Sequence, residues 1–124
     1  MTHNPDNLLI AQRARELAVG IHREAARHQR RLASQSPSLR TQMLRAADSI
    51  ALNIAEGAGK STDRAFAAFL DIAIGSCNEL EMQLRLARDI SALPESADAL
   101  VDQVIQVRKM TIGLRRRLKS RNER

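Results

Sequence analysis

The sequence predicts an all-α protein: an antiparallel up-down four-helix bundle, with residues 1–124 forming one domain. Three observations carry that expectation. Apolar residues recur at three- and four-residue steps in four separate segments, the spacing of a buried helical stripe. No stretch alternates with period two over a strand's length. Short runs containing Pro, Gly or Ser separate the segments, and short connections between long helices imply antiparallel neighbours.

The first stripe is Leu8, Ile10, Ala14, Leu17, Ala18, Ile21 and Ala25. It predicts a helix over residues 7–34, with Asn7 as N-cap. Ser36-Pro37-Ser38 then interrupts the pattern, because proline removes a donor and restricts the residue before it. Leu39, Met43, Ala46, Ala47, Ile50 and Ile54 form the second stripe, over 38–57. Gly57 is expected to end this helix through its freedom to adopt positive φ.

Gly57-Ala58-Gly59-Lys60-Ser61-Thr62 reads as a turn, with Ser61 or Thr62 capping the next helix and Asp63 at its positive end. That third helix, 62–91, carries Phe66, Phe69, Leu70, Ala73, Cys77, Leu80, Leu84 and Ala87 on one face. After the break at Ser91 to Pro94, the fourth helix, 94–119, is marked by Leu100, Val101, Val104, Ile105, Ile112, Leu114 and Leu118. Pro94 suits a first helical turn. The basic tail, 119–124, is expected to fray.

Composition removes several functions. A single cysteine, Cys77, excludes an internal disulfide and a cysteine-based zinc site. No apolar run approaches the ~20 residues of a bilayer span, and the first residues lack a signal peptide's charged and apolar regions, so a cytoplasmic location is expected. Two Phe, no Trp and no Tyr leave almost nothing for base stacking. The net charge of +6 is a partition: residues 1–47 carry +5, residues 48–107 carry −6 and residues 108–124 carry +7. Up-down geometry brings the end of the fourth helix beside the start of the first. That would gather Arg13, Arg15, Lys60, Arg115, Arg116, Arg117 and Lys119 into one phosphate-attracting patch. The same charges also suit a solvated helix end, and the acidic middle could meet basic ends of a neighbouring subunit.

Catalytic chemistry is not expected. Gly59-Lys60-Ser61 resembles a P-loop tail, but the pattern's first glycine would fall on Ile54, and the turn follows a helix rather than a strand. Glu24 and His28 read as a surface contact, and His3, His22 and His28 form no ligand cluster, so no metal or cofactor is expected. Cys77 falls on an apolar stripe and reads as a small buried hydrophobe. Glu81, Arg85 and Asp89, at four-residue steps, read as intrahelical pairs. Glu56 opposes the dipole at its helix's C-terminal end, which implies a basic partner or nearby backbone donors. Gly75, inside the third helix, costs ~1 kcal/mol relative to alanine, which close helix packing would offset. Leu9, Leu52, Ile72, Ile74, Leu86 and Ile90 widen the apolar faces, to fill the core or to form subunit interfaces.

Two blocks resemble a known family. Leu44-Arg45-Ala46-Ala47-Asp48-Ser49-Ile50-Ala51-Leu52-Asn53-Ile54-Ala55-Glu56-Gly57-Ala58-Gly59-Lys60 is similar to the signature of the bacterial 23S rRNA intervening-sequence proteins. Phe69-Leu70-Asp71-Ile72-Ala73-Ile74-Gly75-Ser76, with Glu79-Leu80, resembles that family's second block. The resemblance implies a four-helix bundle assembling into a ring-like homopentamer without enzymatic activity. In a related branch, the accessory variability proteins of diversity-generating retroelements, a basic surface binds nucleic acid and a reverse transcriptase. It marks Asn53, Glu56, Gly57, Gly59, Gly75, Ser76 and Glu79 as family-motif positions. Two functions follow as expectations: an oligomer binding RNA or DNA through phosphates, or a scaffold recruiting a nucleic-acid enzyme without touching nucleic acid.

Overall fold

The computed structural model describes residues 5–122. Among these residues the chain is all-α: five helices and one 3₁₀ turn, with no strand. Helices α1 (Pro5–Arg27), α3 (Pro37–Ala58), α4 (Asp63–Asp89) and α5 (Asp98–Asn122) are long; α2 (Gln29–Gln35) is two turns. In space α1 packs on α3 and α5, α3 on α4, and α4 on α5, with α2 against α3.

Most stripe residues are buried as their spacing put them; Phe69 is only half-buried, and the Leu8 side chain lies outside the described residues. Ile10, Ala14, Leu17 and Ile21 of α1 meet Met43, Ala47, Ile50 and Ile54 of α3 in the same core as Leu70, Ala73, Leu80 and Leu84 of α4. Helix α5 adds Leu100, Val104, Leu114 and Leu118, whereas Ile105 and Ile112 are only half-buried. Val107 and Thr111 take core places that the expected stripe omits. Thr111 is a buried polar residue made compatible by its hydroxyl donating to the Val107 carbonyl at 2.7 Å. Cys77 is fully buried, and burial pushes its thiol up to about 12, so it stays protonated and unreactive at neutral pH.

The element ends differ from expectation in ways the chemistry explains. Helix α1 already includes Pro5, so Asn7 lies within its first turns rather than capping it. The expected first helix breaks at His28 (φ −116°, ψ 29°), and the short α2 then buries Leu32. Glu24 at this break is buried. Its Oε2 accepts from Arg27 at 2.7 Å and its Oε1 lies 3.0 Å from His28 Nε2, so the Glu24–His28 contact forms as expected but with the carboxylate buried rather than at the surface. Ser36 caps α3 by accepting from the Leu39 amide, with Pro37 at the first helical position. Thr62 caps α4 by accepting from the Ala65 amide at 3.1 Å.

Gly57 serves packing, not a left-handed turn. No glycine among the described residues has positive φ; α3 runs on to Ala58, and a Cβ on Gly57 would stand 2.8 Å from the Phe66 ring and 2.9 Å from Phe69 Cβ. The residue that does adopt a left-handed conformation is Ser91 (φ 60°), just past α4. There Ala92 N–H donates back to the Ala87 carbonyl at 2.8 Å and Ser91 N–H to that of Arg88 at 3.0 Å, the hydrogen bonding of a Schellman ending. Pro94 precedes the 3₁₀ turn Glu95–Ala97 instead of opening the long helix. Helix α5 continues through Asn122, past the Lys119 boundary where fraying was expected; Glu123 and Arg124 lie outside the described residues.

Candidate nucleic-acid interface

A ladder of ion pairs joins α4 to α5. Arg121 donates to both oxygens of Asp63 at 2.5 and 3.0 Å, and Arg115 to both of Asp71 at 2.8 and 3.4 Å. Arg108 donates to Glu81 at 2.6 Å and to Asn78 at 3.2 Å. At the far end the signs reverse, with Arg88 of α4 bidentate to Asp98 at 2.6 and 3.3 Å. Partner numbers rise along α4 as they fall along α5, the register of an antiparallel pair. Three of the ten acids of the middle segment, Asp63, Asp71 and Glu81, therefore meet the basic C-terminal segment within one chain. Arg85 also donates to Glu81 at 2.9 Å, and these bonds hold the Glu81 carboxyl below its ordinary range, Arg108 first and Arg85 second. The bond from Arg88 does the same for Asp98.

The ladder divides the seven cations expected to form one patch. Arg115 is committed to Asp71. Lys60 lies 3.2 Å from Glu56 Oε1 and 5.2 Å from the Phe69 ring centre, which supplies the basic partner Glu56 called for. Arg13 pairs with Glu16 at 3.2 Å. Arg15, Arg116 and Lys119 are exposed without an ion-pair partner among the described residues, and Arg117 is exposed with its Nη1 3.7 Å from where a Gly113 Cβ would stand. Two surfaces share the set: Arg13 and Arg15 line a groove between α1 and α5, whereas Arg115 and Lys119 line a depression between α4 and α5 with Asp63, Arg64 and Asp71. Of the seven, Arg13, Lys60 and Arg115 are thus paired with acids of the same chain.

Further unpaired cations complete the basic surface. Arg23 on α1, Arg30 and Arg31 on α2, and Lys109 on α5 are exposed and carry no ion pair among the described residues. The sequence singled out none of Arg23, Arg30 and Arg31, which entered only through the +5 of residues 1–47. The signal that would have found them is subtraction: cations left over once α5 is paired against α4 in antiparallel register. Arg45 and Arg64 are the corresponding exposed cations of α3 and α4.

The family-motif residues also divide in two. Asn53 donates from Nδ2 to the Ser49 carbonyl at 2.8 Å and to Ser49 Oγ at 3.0 Å, and Ser49 Oγ meets Ser76 Oγ at 2.8 Å. This polar chain crosses from α3 to α4 at Ser49 and Ser76. Gly59 ends α3, its N–H donating to the Glu56 carbonyl at 3.2 Å. Gly75 and Glu79 instead face outward. A Cβ on Gly75 would find nothing within 4 Å, so no helix among the described residues packs there, contrary to the close packing expected. Gly75 and Glu79 belong to an exposed heptad-spaced row on α4: Ala68, Ile72, Gly75, Glu79, Met82 and Leu86. Ile72 is 51% and Met82 59% exposed, and Leu52 of α3 is 67% exposed.

Among the described residues no group of three His, Cys, Asp or Glu side chains is placed to hold a metal ion. No helix there is long and apolar enough to cross a membrane.

Comparison with known proteins agrees with this architecture. A crystal structure of a protein of unknown function from the S23 ribosomal protein family of Bacteroides thetaiotaomicron VPI-5482 superposes with a TM-score of 0.75. The match has 20% sequence identity and covers 90% of this chain and 98% of that one, which speaks to the fold. Among curated proteins none matches. The family model for 23S rRNA-intervening sequence proteins matches residues 6–113. With the two sequence blocks now accounted for as the α3–α4 seam, its turn and the outward row of α4, the chain belongs to the 23S rRNA-intervening sequence protein family.

Proposed function

We propose that the protein is a non-enzymatic, cytoplasmic four-helix bundle, assembled as a homo-oligomer, that binds RNA or DNA through its basic surface without reading sequence. The observation that carries this reading is the charge left after the α4–α5 ladder is formed. Arg15, Arg23, Arg30, Arg31, Lys109, Arg116 and Lys119 have no acid of their own among the described residues. Unpaired arginines attract phosphates and can bind them with two hydrogen bonds. With almost no aromatic side chains, attraction rests on phosphate charge rather than on base stacking. Titration of labelled RNA and DNA over a salt series tests this: affinity should fall steeply as salt rises, with similar values across sequences. Absence of binding at low salt would overturn it.

The exposed α4 row supports self-assembly, which family resemblance puts at a ring of five. Apolar side chains at heptad spacing beside an open glycine suit a close helix approach from a second subunit. A second reading uses the same row as a dock for a nucleic-acid enzyme, such as a reverse transcriptase, with the protein acting as scaffold. A pull-down of the enzyme that survives nuclease treatment, by a protein that binds no free nucleic acid, favours the scaffold.

A further inference from the structure

The groove between α1 and α5 is the strongest unassigned feature of the basic surface. Its α1 wall presents Arg13, Arg15 and Arg23 with Glu16 and Val19, and its α5 wall presents Gln103, Gln106 and Val107, around an open volume of about 700 Å³. Gly20 brings the walls close, since a Cβ there would lie 3.1 Å from Leu100 Cδ2. The acid in the groove is already neutralised: Glu16 accepts from Arg13 and from Gln12, each at 3.2 Å. Asp102 of α5 lines the other side of that helix with Arg85 and Arg88. The groove therefore keeps two uncompensated guanidinium groups on one wall and two neutral amides on the other.

Building on the nucleic-acid reading above, we infer that this groove seats one strand of a nucleic acid. Its phosphates lie on Arg15 and Arg23, and its sugars or base edges on Gln103 and Gln106. The two arginines are eight residues apart on one helix, ~12 Å along its axis at 1.5 Å per residue. Helices α1 and α5 pack against one another, so the groove is an open furrow along their seam, a track for one strand rather than a cleft that encloses a duplex. Arginine contributes charge and bidentate geometry; a glutamine amide both donates and accepts, so it can satisfy a hydroxyl or a base edge.

The test measures binding of the full-length protein to a labelled single-stranded oligonucleotide and to its duplex over a salt series. Arg15→Gln/Arg23→Gln, Gln103→Ala/Gln106→Ala and Arg116→Gln/Lys119→Gln are compared with wild type, with circular dichroism verifying the fold of each. The groove predicts tighter binding of the single strand. It predicts at least a tenfold loss at low salt in Arg15→Gln/Arg23→Gln, with the log–log salt slope shallower by ~1.4, since each strand phosphate contributes ~0.7. Gln103→Ala/Gln106→Ala should weaken binding several-fold and leave the slope unchanged. Loss confined to Arg116→Gln/Lys119→Gln would overturn the groove and leave the nucleic-acid reading standing. No binding by the wild type would overturn both.

Discussion

Arg108 and Glu81 meet at 2.6 Å across the α4–α5 seam, with only 22% and 20% of their side chains exposed. This makes the pair the most enclosed rung of the α4–α5 ladder. An enclosed, charge-assisted hydrogen bond is stronger than the same pair in open solvent. Arg108→Ala should destabilise the fold by about 1 kcal/mol. The loss is bounded because Arg85 still donates to Glu81. Urea unfolding of the two proteins measures it.

The ladder also sets the acid limit of the fold. Arg108 holds the Glu81 carboxyl, and Arg88 the Asp98 carboxyl, below the ordinary range. A carboxylate with a lowered folded pKa stabilises fully above its unfolded value and loses that contribution as pH falls through the folded one. Thermal stability should therefore hold at neutral pH and decline below pH ~4. In Glu81→Gln/Asp98→Asn that acid decline should be shallower, as midpoints measured between pH 7 and pH 2 would reveal.

Two single-residue changes test the packing account with opposite signs. Gly57→Ala places a methyl against Phe66 and Phe69 and should cost 1–3 kcal/mol, the usual range for overfilling a packed contact. Ser91→Gly relieves the left-handed backbone after α4 and should stabilise by about 0.5–1 kcal/mol. Calorimetry on both variants decides whether Gly57 is there for space and whether Ser91 is strained.

Ile72→Lys places a charge in the exposed row of α4 without touching the core. It should leave helicity and unfolding of the chain unchanged while shifting light scattering toward a smaller species. Unchanged particle size would move the subunit interface away from α4.

Much of this was legible in the sequence because helical periodicity reports burial directly. The α3 stripe from Leu39 to Ile54 is buried residue for residue, and Thr62 was one of the two residues expected to cap α4; Ser36-Pro37 read only as a break, although Ser36 caps α3. The break at His28 was not legible, since neither proline nor glycine marks it. Gly75 was misread for a related reason. Sequence shows that a helix tolerates a glycine, but not whether its open side faces the chain's own core or the outside. The charge partition was visible, yet its meaning was not, because Arg115 looks the same in sequence whether Asp71 or a phosphate neutralises it.

The most direct test sets the paired cations against the unpaired ones. One variant replaces Arg15, Arg23, Arg116 and Lys119 with glutamine; another replaces the ladder residues Arg108, Arg115 and Arg121. Nucleic-acid affinity is measured for each at low salt, alongside stability. The account predicts that the first loses binding and keeps its stability, while the second keeps binding and loses stability. A ladder variant that loses binding while the other retains it would contradict the division of charge on which the account rests.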